Sequence, residues 1–489
     1  MGDWAAAVLA ALAFAAALGR AGILGVARGA AATAGAGVEA MLDRSLGEEA
    51  QERAVQAAGL ALLGASWGLA WRFALCLLAA ALPVLPLWAL GLADPGRVLA
   101  LSLGWEFLLG ATLVLGAGAW AFGRRAPAAA TEATAYPLAE RLLHRAAFAS
   151  PGVLRAAARL DDRLLGRAAG GADSRPPVFV TSLPRAGTTA LLAALDRLPG
   201  LAAHRYRDMP FLTAPLLWNR ARRLLGARIS RRERAHGDGL EIDLDTAEAF
   251  EEVLWMLHWP EHYGADGIRP WAAADARPEA AADFRRHFAK IVALRADGQG
   301  RYLSKNNASI ARLGLLPEMF PGAAVVVPLR EPSAHAASLL RQHRNFTRLH
   351  ADDPFAARYM EDIGHLEFGR LHRPIRFPGF DRTEFALGSL TPEDPDYWLR
   401  YWIAGFAAVE AAAAAGMPGL VLVDQDDLRA APGATMRALC AAIGVDAGEA
   451  DFAGAFRGEP DPRREEGLDP ALLAEARALH ARLAAQAVR

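Results

Sequence analysis

Two stretches of this chain pair arginine with small hydroxyl residues where a strand turns into a helix. The first is Pro184-Arg185-Ala186-Gly187-Thr188-Thr189. A β-branched and aromatic run, Val178 to Thr181, reads as a buried strand before it, and an apolar-periodic helix follows through Leu191, Leu192 and Leu195. The first N–H groups of a helix are unpaired and its dipole favours negative charge, so such a turn can cradle a phosphate. Gly187 lets the backbone approach the anion, the threonines add donors, and Arg185 places a permanent charge at the mouth. An ordinary strand-to-helix turn shares the local pattern. The second stretch narrows the reading. Ala323 to Leu329 reads as another buried strand, ending in Arg330-Glu331-Pro332, with Ser338 about two turns into the next helix. A guanidinium at a strand exit can hold a phosphate bidentately.

Together the two stretches resemble sulfotransferases that use 3′-phosphoadenosine 5′-phosphosulfate (PAPS), in the bacterial branch with arginine in the 5′-phosphosulfate loop. Arg185, Ala186, Gly187, Thr188 and Thr189 match that loop, with Ala186 standing where serine is usual. Arg330 and Ser338 match the family's 3′-phosphate ligands. Val421 to Leu428, followed by Pro432, is similar to a late strand-turn of the family. The resemblance spans about 173–460. It implies a PAPS co-substrate bound between the two loops and no metal. Lys305 follows a short strand at Arg301 to Ser304, where related membrane-bound sulfotransferases carry a lysine that steadies the transferring group. The resemblance also implies a base a short way beyond the loop helix. Asp208 is the first candidate, His204 the second, and His236 the third. His365 and Glu367 are candidates to line the acceptor site. The loop lacks the Gly-x-x-x-x-Gly-Lys pattern of nucleotide hydrolases. Two rivals stay open: another P-loop nucleotide-dependent transferase or kinase, and a non-catalytic membrane protein that keeps a nucleotide-binding-like domain.

The elements that must position these residues read as an α/β domain. Strand candidates at 177–182, 301–304, 323–329 and 419–424 alternate with helical patterns, which predicts a P-loop-NTPase-like, mostly parallel sheet flanked by helices over 173–489. Glu251 and Glu252 read as a solvated helix start. Tyr397, Trp398, Tyr401 and Trp402 read as core.

Residues 1–125 differ. Trp4 to Val26, two stretches around Arg72 within Ala54 to Ala93, and Val98 to Phe122 are apolar runs, each near the ~20 residues that a hydrocarbon core demands. They predict an all-α region of about three membrane spans, with Arg72 and Glu106 inside them either pairing with each other or snorkelling. Arg124, Arg125, Arg141 and Arg145 follow the third run, which predicts a multi-pass membrane protein with its catalytic domain in the cytoplasm. Residues 126–172 read as an amphipathic connector lying at the membrane surface or packing on the domain. A lipid bilayer and a hydroxyl-bearing small-molecule, lipid or glycan acceptor are therefore the expected partners.

The net charge of −1 leaves no basic footprint for nucleic acid. Cys76 and Cys440 are the only cysteines, so neither a disulfide framework nor a cysteine zinc site can form. The basic residues are almost all arginine. Lys290 and Lys305 are the two lysines, which singles out each of them.

Overall fold

The apolar runs that read as strands become neighbours in one parallel sheet. The protein is seen here as a computed structural model. It describes residues 2–22, 48–102, 138–169, 175–225, 250–296, 300–380, 390–456 and 465–489, with 25–26, 30, 33, 104, 232–233, 241–242 and 246–248 between them. The chain divides into two units, Met1–Thr131 and Glu132–Arg489.

In the first unit, helix α1 (Gly2–Arg20) packs along α2 (Glu48–Ala81). Phe14 meets Phe73 edge to face at 5.7 Å. One helical stretch, Gln56–Ala89, is long and apolar enough to cross a membrane, and Gly2–Leu18 is a shorter apolar helix. Arg72 donates to the carbonyls of Ala21 (3.0 Å) and Gly68 (3.1 Å), so backbone oxygens neutralise part of its desolvation cost. Its expected partner Glu106 lies outside the described residues, as does most of the third apolar run.

The second unit opens with α3 (Leu138–Ala147) and α4 (Pro151–Ala169). Strand β1 (Arg175–Val180) leads into α5 (Thr188–Leu195), and a two-residue strand β2 (Leu201–Ala202) follows. Helices α6 (Glu252–His258) and α7 (Pro278–Arg295) precede β3 (Arg301–Lys305) and β4 (Ala324–Leu329). Then come α8 (Pro332–Asp352), α9 (Pro354–Asp362), α10 (Pro395–Ala414), β5 (Leu420–Asp424) and α11 (Pro470–Ala484). The strand order is β2-β3-β1-β4-β5, with every neighbour parallel. The edge strand β2 was not foreseen, because two residues carry no periodicity. Val180 sits level with Lys305 on one side and Val326 on the other. This register puts the exits of β1, β3 and β4 at one end of the sheet, where ligands gather in open α/β folds. All six residues of β4 are buried, as a strand covered on both faces requires.

Tyr397, Trp398, Tyr401 and Trp402 are buried in the main core, as expected. Glu251 and Glu252 are buried too, against the expectation of a solvated helix start. The reason is a partner far along the chain. Arg312 donates to both Glu252 oxygens (2.7 and 2.9 Å), and its guanidinium lies between the rings of Trp255 (4.3 Å) and Trp271 (4.2 Å). Asn306 also donates to Glu252 (2.7 Å). Replacing Arg312 with methionine would strand a buried carboxylate. It is expected to cost about 3–5 kcal/mol, read as a lower midpoint in a denaturant titration followed by tryptophan emission.

Candidate active site

The turn after β1 is built by two residues with left-handed backbone. Arg185 has φ +71°, and Gly187 has φ +87° and caps α5. A left-handed residue followed by a helical one points successive N–H groups into a common concavity, an anion nest at a helix start. A Cβ at Gly187 would come within 2.6 Å of the Gln425 amide, so space and backbone both favour glycine. Arg185 has no such freedom, and its conformation is held from outside. His335 on α8 donates from Nε2 to the Pro184 carbonyl (2.7 Å) while its Nδ1 accepts from the Trp402 indole (3.1 Å). Burial, with the positive charge of Arg330, pushes the His335 pKa down to about 3, so the ring stays neutral and its tautomer is set by these two bonds. Arg330 donates to the Arg185 carbonyl (2.7 Å).

The structure thus brings Arg330 and Ser338 to the loop. The Arg185 Nε lies 3.4 Å from the Ser338 hydroxyl. Burial pushes the Arg330 pKa down to about 10, aided by the positive charges of Arg429, Arg185 and Arg341. Its Nε is buried without a hydrogen-bond partner. A guanidinium that is desolvated, surrounded by like charge and short of an acceptor is arranged to receive an anion.

Beside the loop lies a small cleft. Arg185, Thr188, Thr189, Lys305 and Asn307 form its polar floor, and Phe346, Met360, His365, Glu367 and Phe368 its opposite wall. Lys305 is the last residue of β3 and is buried, 3.5 Å from Glu248, which also accepts from the Tyr206 hydroxyl (3.0 Å). Asn307 ties floor to wall. It accepts from the Thr188 hydroxyl (3.1 Å) and donates to Glu367 Oε1 (3.2 Å). Asn307 and Glu248 were not singled out in the sequence. Asn307 carried a faint signal, a polar run at the exit of β3, whereas Glu248 sits in an irregular segment with none.

Asp208 and His204 are not in the cleft lining. Asp208 is fully buried, and it accepts from Arg295 (2.5 Å), Asn219 (2.8 Å), His204 Nδ1 (3.2 Å) and the Arg205 amide (3.0 Å). Burial alone would raise its pKa. The His204 hydrogen bond and the Arg295 charge outweigh that and hold the carboxylate below its ordinary range. His204 stacks on His287, with their Nε2 atoms 2.8 Å apart. The pair knits α7 to the segment after β2. His236 lies outside the described residues.

Residues 176–372 match the model of the sulfotransferase family. That span holds the loop, Lys305, Arg330, Ser338 and Glu367. This stretch of the chain is thus similar to a sulfotransferase domain, which supports an enzyme of sulfuryl transfer. Among solved structures it is similar to a sulfotransferase of Mycobacterium tuberculosis H37Rv at 15% identity, covering 71% of this chain and 86% of that one with a TM-score of 0.38. A Mycobacterium avium sulfotransferase shares 14% identity over 72% of this chain and 79% of its own, with a TM-score of 0.36. One from Alicyclobacillus acidocaldarius shares 14% over 64% and 97%, with a TM-score of 0.32. No curated protein matches the chain.

The network around Asp208 makes a pH prediction. A carboxylate with a depressed folded pKa contributes stability that is fully present above its unfolded pKa of about 3.9 and is lost as pH falls through the lower folded value. Asp208→Asn is therefore expected to destabilise the protein at pH 7 by about 3 kcal/mol, in the range for breaking a buried charge pair. It should also flatten the loss of stability between pH 4 and lower pH. Denaturant midpoints of both proteins across that acid range check this.

Proposed function

We propose that this domain moves a sulfuryl group from PAPS to a hydroxyl of an acceptor held in the cleft beside Lys305. The observation that carries the reading is the Arg330 guanidinium, buried among like charges with an unpartnered Nε and bonded to the loop that cradles anions. Such a site fits the two phosphate groups of that donor better than the single polyphosphate tail of a nucleoside triphosphate. The donor would supply an activated sulfuryl group on a phosphosulfate anhydride. The backbone amides of Gly187, Thr188 and Thr189, with Arg185, would hold the 5′ side. Ala186 contributes only its backbone there. Arg330 and Ser338 would hold the 3′ phosphate. Arg185 and Lys305, lining one cleft, would stabilise negative charge developing on the departing phosphate oxygen.

The proton of the acceptor hydroxyl needs a base within reach. Glu367 is the carboxylate on the cleft wall, steadied through Oε1 by Asn307. Asp208, saturated with donors, serves the scaffold in this reading.

The apolar helix Gln56–Ala89 and its exposed Leu60, Leu63, Trp67 and Trp71 support a membrane-embedded first unit. With Arg141 and Arg145 after it, we place the catalytic unit in the cytoplasm as part of a multi-pass protein. A lipid-linked or glycan hydroxyl is then the acceptor class within reach.

Calorimetry of the full chain in detergent with 3′-phosphoadenosine 5′-phosphate should show one saturable site. Arg330→Ala should weaken it by about 10–100-fold, the worth of a charge-assisted hydrogen-bond pair. Folded protein that binds none would overturn the assignment of the donor.

A second measurement addresses the base. Glu367→Gln should bind the same nucleotide as well as the parent, while release of labelled sulfuryl from the donor falls by about 10²–10⁴-fold. Unchanged release would return the role to a residue elsewhere in the chain.

A further inference from the structure

Within the second unit, exposed apolar side chains are confined to one place. Among its described residues, every large hydrophobic that is exposed lies on α3 or α4: Leu143 (38%), Val153 (37%), Leu160 (51%) and Leu164 (62%). The sheet and the helices around it expose none. Val153, Leu160 and Leu164 recur at seven and four positions, so they form one stripe along α4.

The adjoining face of the same helix is committed to the domain. Leu154 packs with Leu212, Phe250, Val253, Leu257 and Ile363. Asp161 accepts from the Leu217 amide (2.7 Å), and the Lys290 ammonium lies 3.1 Å from Asp161 and 2.5 Å from Asp162. The helix therefore cannot roll to hide its leucines. Beside the stripe, Arg155, Arg159 and Arg163 recur every four positions and are exposed. Arg155 spends part of its charge on the Leu257 carbonyl (2.6 Å). A rigid helix with one docked face, a leucine stripe and an arginine row matches what settles into the headgroup layer of a membrane.

We propose that α4 docks the catalytic unit onto an anionic lipid surface, with Leu160 and Leu164 in the acyl boundary and Arg159 and Arg163 on lipid phosphates. Charge complementarity selects the lipid. So does sequence: α4 follows, in the same chain, a helix long and apolar enough to cross a bilayer. The inference rests on the membrane reading of the first unit and is independent of the donor chemistry. Docking would hold the domain against the surface where a lipid-linked hydroxyl is found. Helices α3 and α4 share a cluster with Ile363, and His144 on α3 lies 3.0 Å from Asp362, next to the loop bearing His365 and Glu367. The docked helices and the cleft wall are thus one packed body.

The test uses the full chain reconstituted in phosphatidylcholine vesicles with and without phosphatidylglycerol. Leu160→Cys, Leu164→Cys and, as a control on α11, Ala478→Cys each carry an NBD fluorophore; the native Cys76 and Cys440 are buried. Lipids brominated on the acyl chain should quench the label at 160 and 164 and spare the one at 478. In vesicles with phosphatidylglycerol, the double variant Arg159→Glu/Arg163→Glu should lose most of that quenching. Blue-shifted but unquenched labels would mean that protein covers the stripe, either the first unit or a second copy, and would overturn the proposal. So would labels that emit as in water, or quenching indifferent to the arginine changes. A chain that fails to float with vesicles at all would overturn the membrane reading itself, an outcome distinct from a floating chain with dry-docked or solvated labels.

Discussion

The bond from Arg330 to the Arg185 carbonyl carries more of this structure than its length suggests. Arg185 adopts a left-handed backbone that costs a non-glycine residue about 1–2 kcal/mol. Two side chains from the next element hold it there. His335 takes the carbonyl before it and Arg330 takes its own. Both come from the β4 exit and the first turn of α8, so the shape of the loop depends on the parallel register of β1 and β4. The anion cradle is a tertiary object, although its sequence signature is local. The same contacts force Arg330 against Arg185, Arg341 and Arg429, a crowding of like charge that opposes folding and that a bound anion relieves.

That imbalance separates the site from the other buried charges. Glu252 with Arg312, and Asp208 with Arg295, are pairs of opposite charge in direct hydrogen-bond contact. Buried pairs of this kind seldom add net stability, yet each fixes where distant segments meet. Arg312 clamps the turn after β3 to α6, and Asp208 clamps the segment after β2 to α7. Around Arg330 the charge is mostly of one sign, from Arg429, Arg185 and Arg341, with Glu331 opposing them.

The limits of reading this chain from its sequence follow the same line. The loop at 184–189, Arg330 and Ser338 were legible because strand, turn and helix start are written in consecutive residues, and the structure sets them side by side. Lys305 was legible because lysine is so rare here. Asp208 was read as the first candidate base, and its burial against Arg295 and Asn219 was not legible because neither is its neighbour in sequence. Glu252 looked solvated for the same reason, with Arg312 sixty positions on. Glu367 was read as a candidate to line the acceptor site, but its link to Thr188 through Asn307 exists in three dimensions alone. Local patterns announce backbone chemistry; the ionisation and accessibility of a side chain depend on partners the pattern does not contain.

The two lysines make the point from the other side. Both are buried, and both meet carboxylates. An ammonium is a compact charge with three rotatable donors, whereas a guanidinium is a broad planar fork. Lys290 sits between adjacent aspartates, Asp161 and Asp162, a geometry that a point charge fills and a fork does not. Lys305 sits at the end of β3 with Glu248 behind it and the cleft before it. One lysine fastens α4 to the domain, and the other faces the space where charge would develop. Lys305 shares that cleft with Arg185.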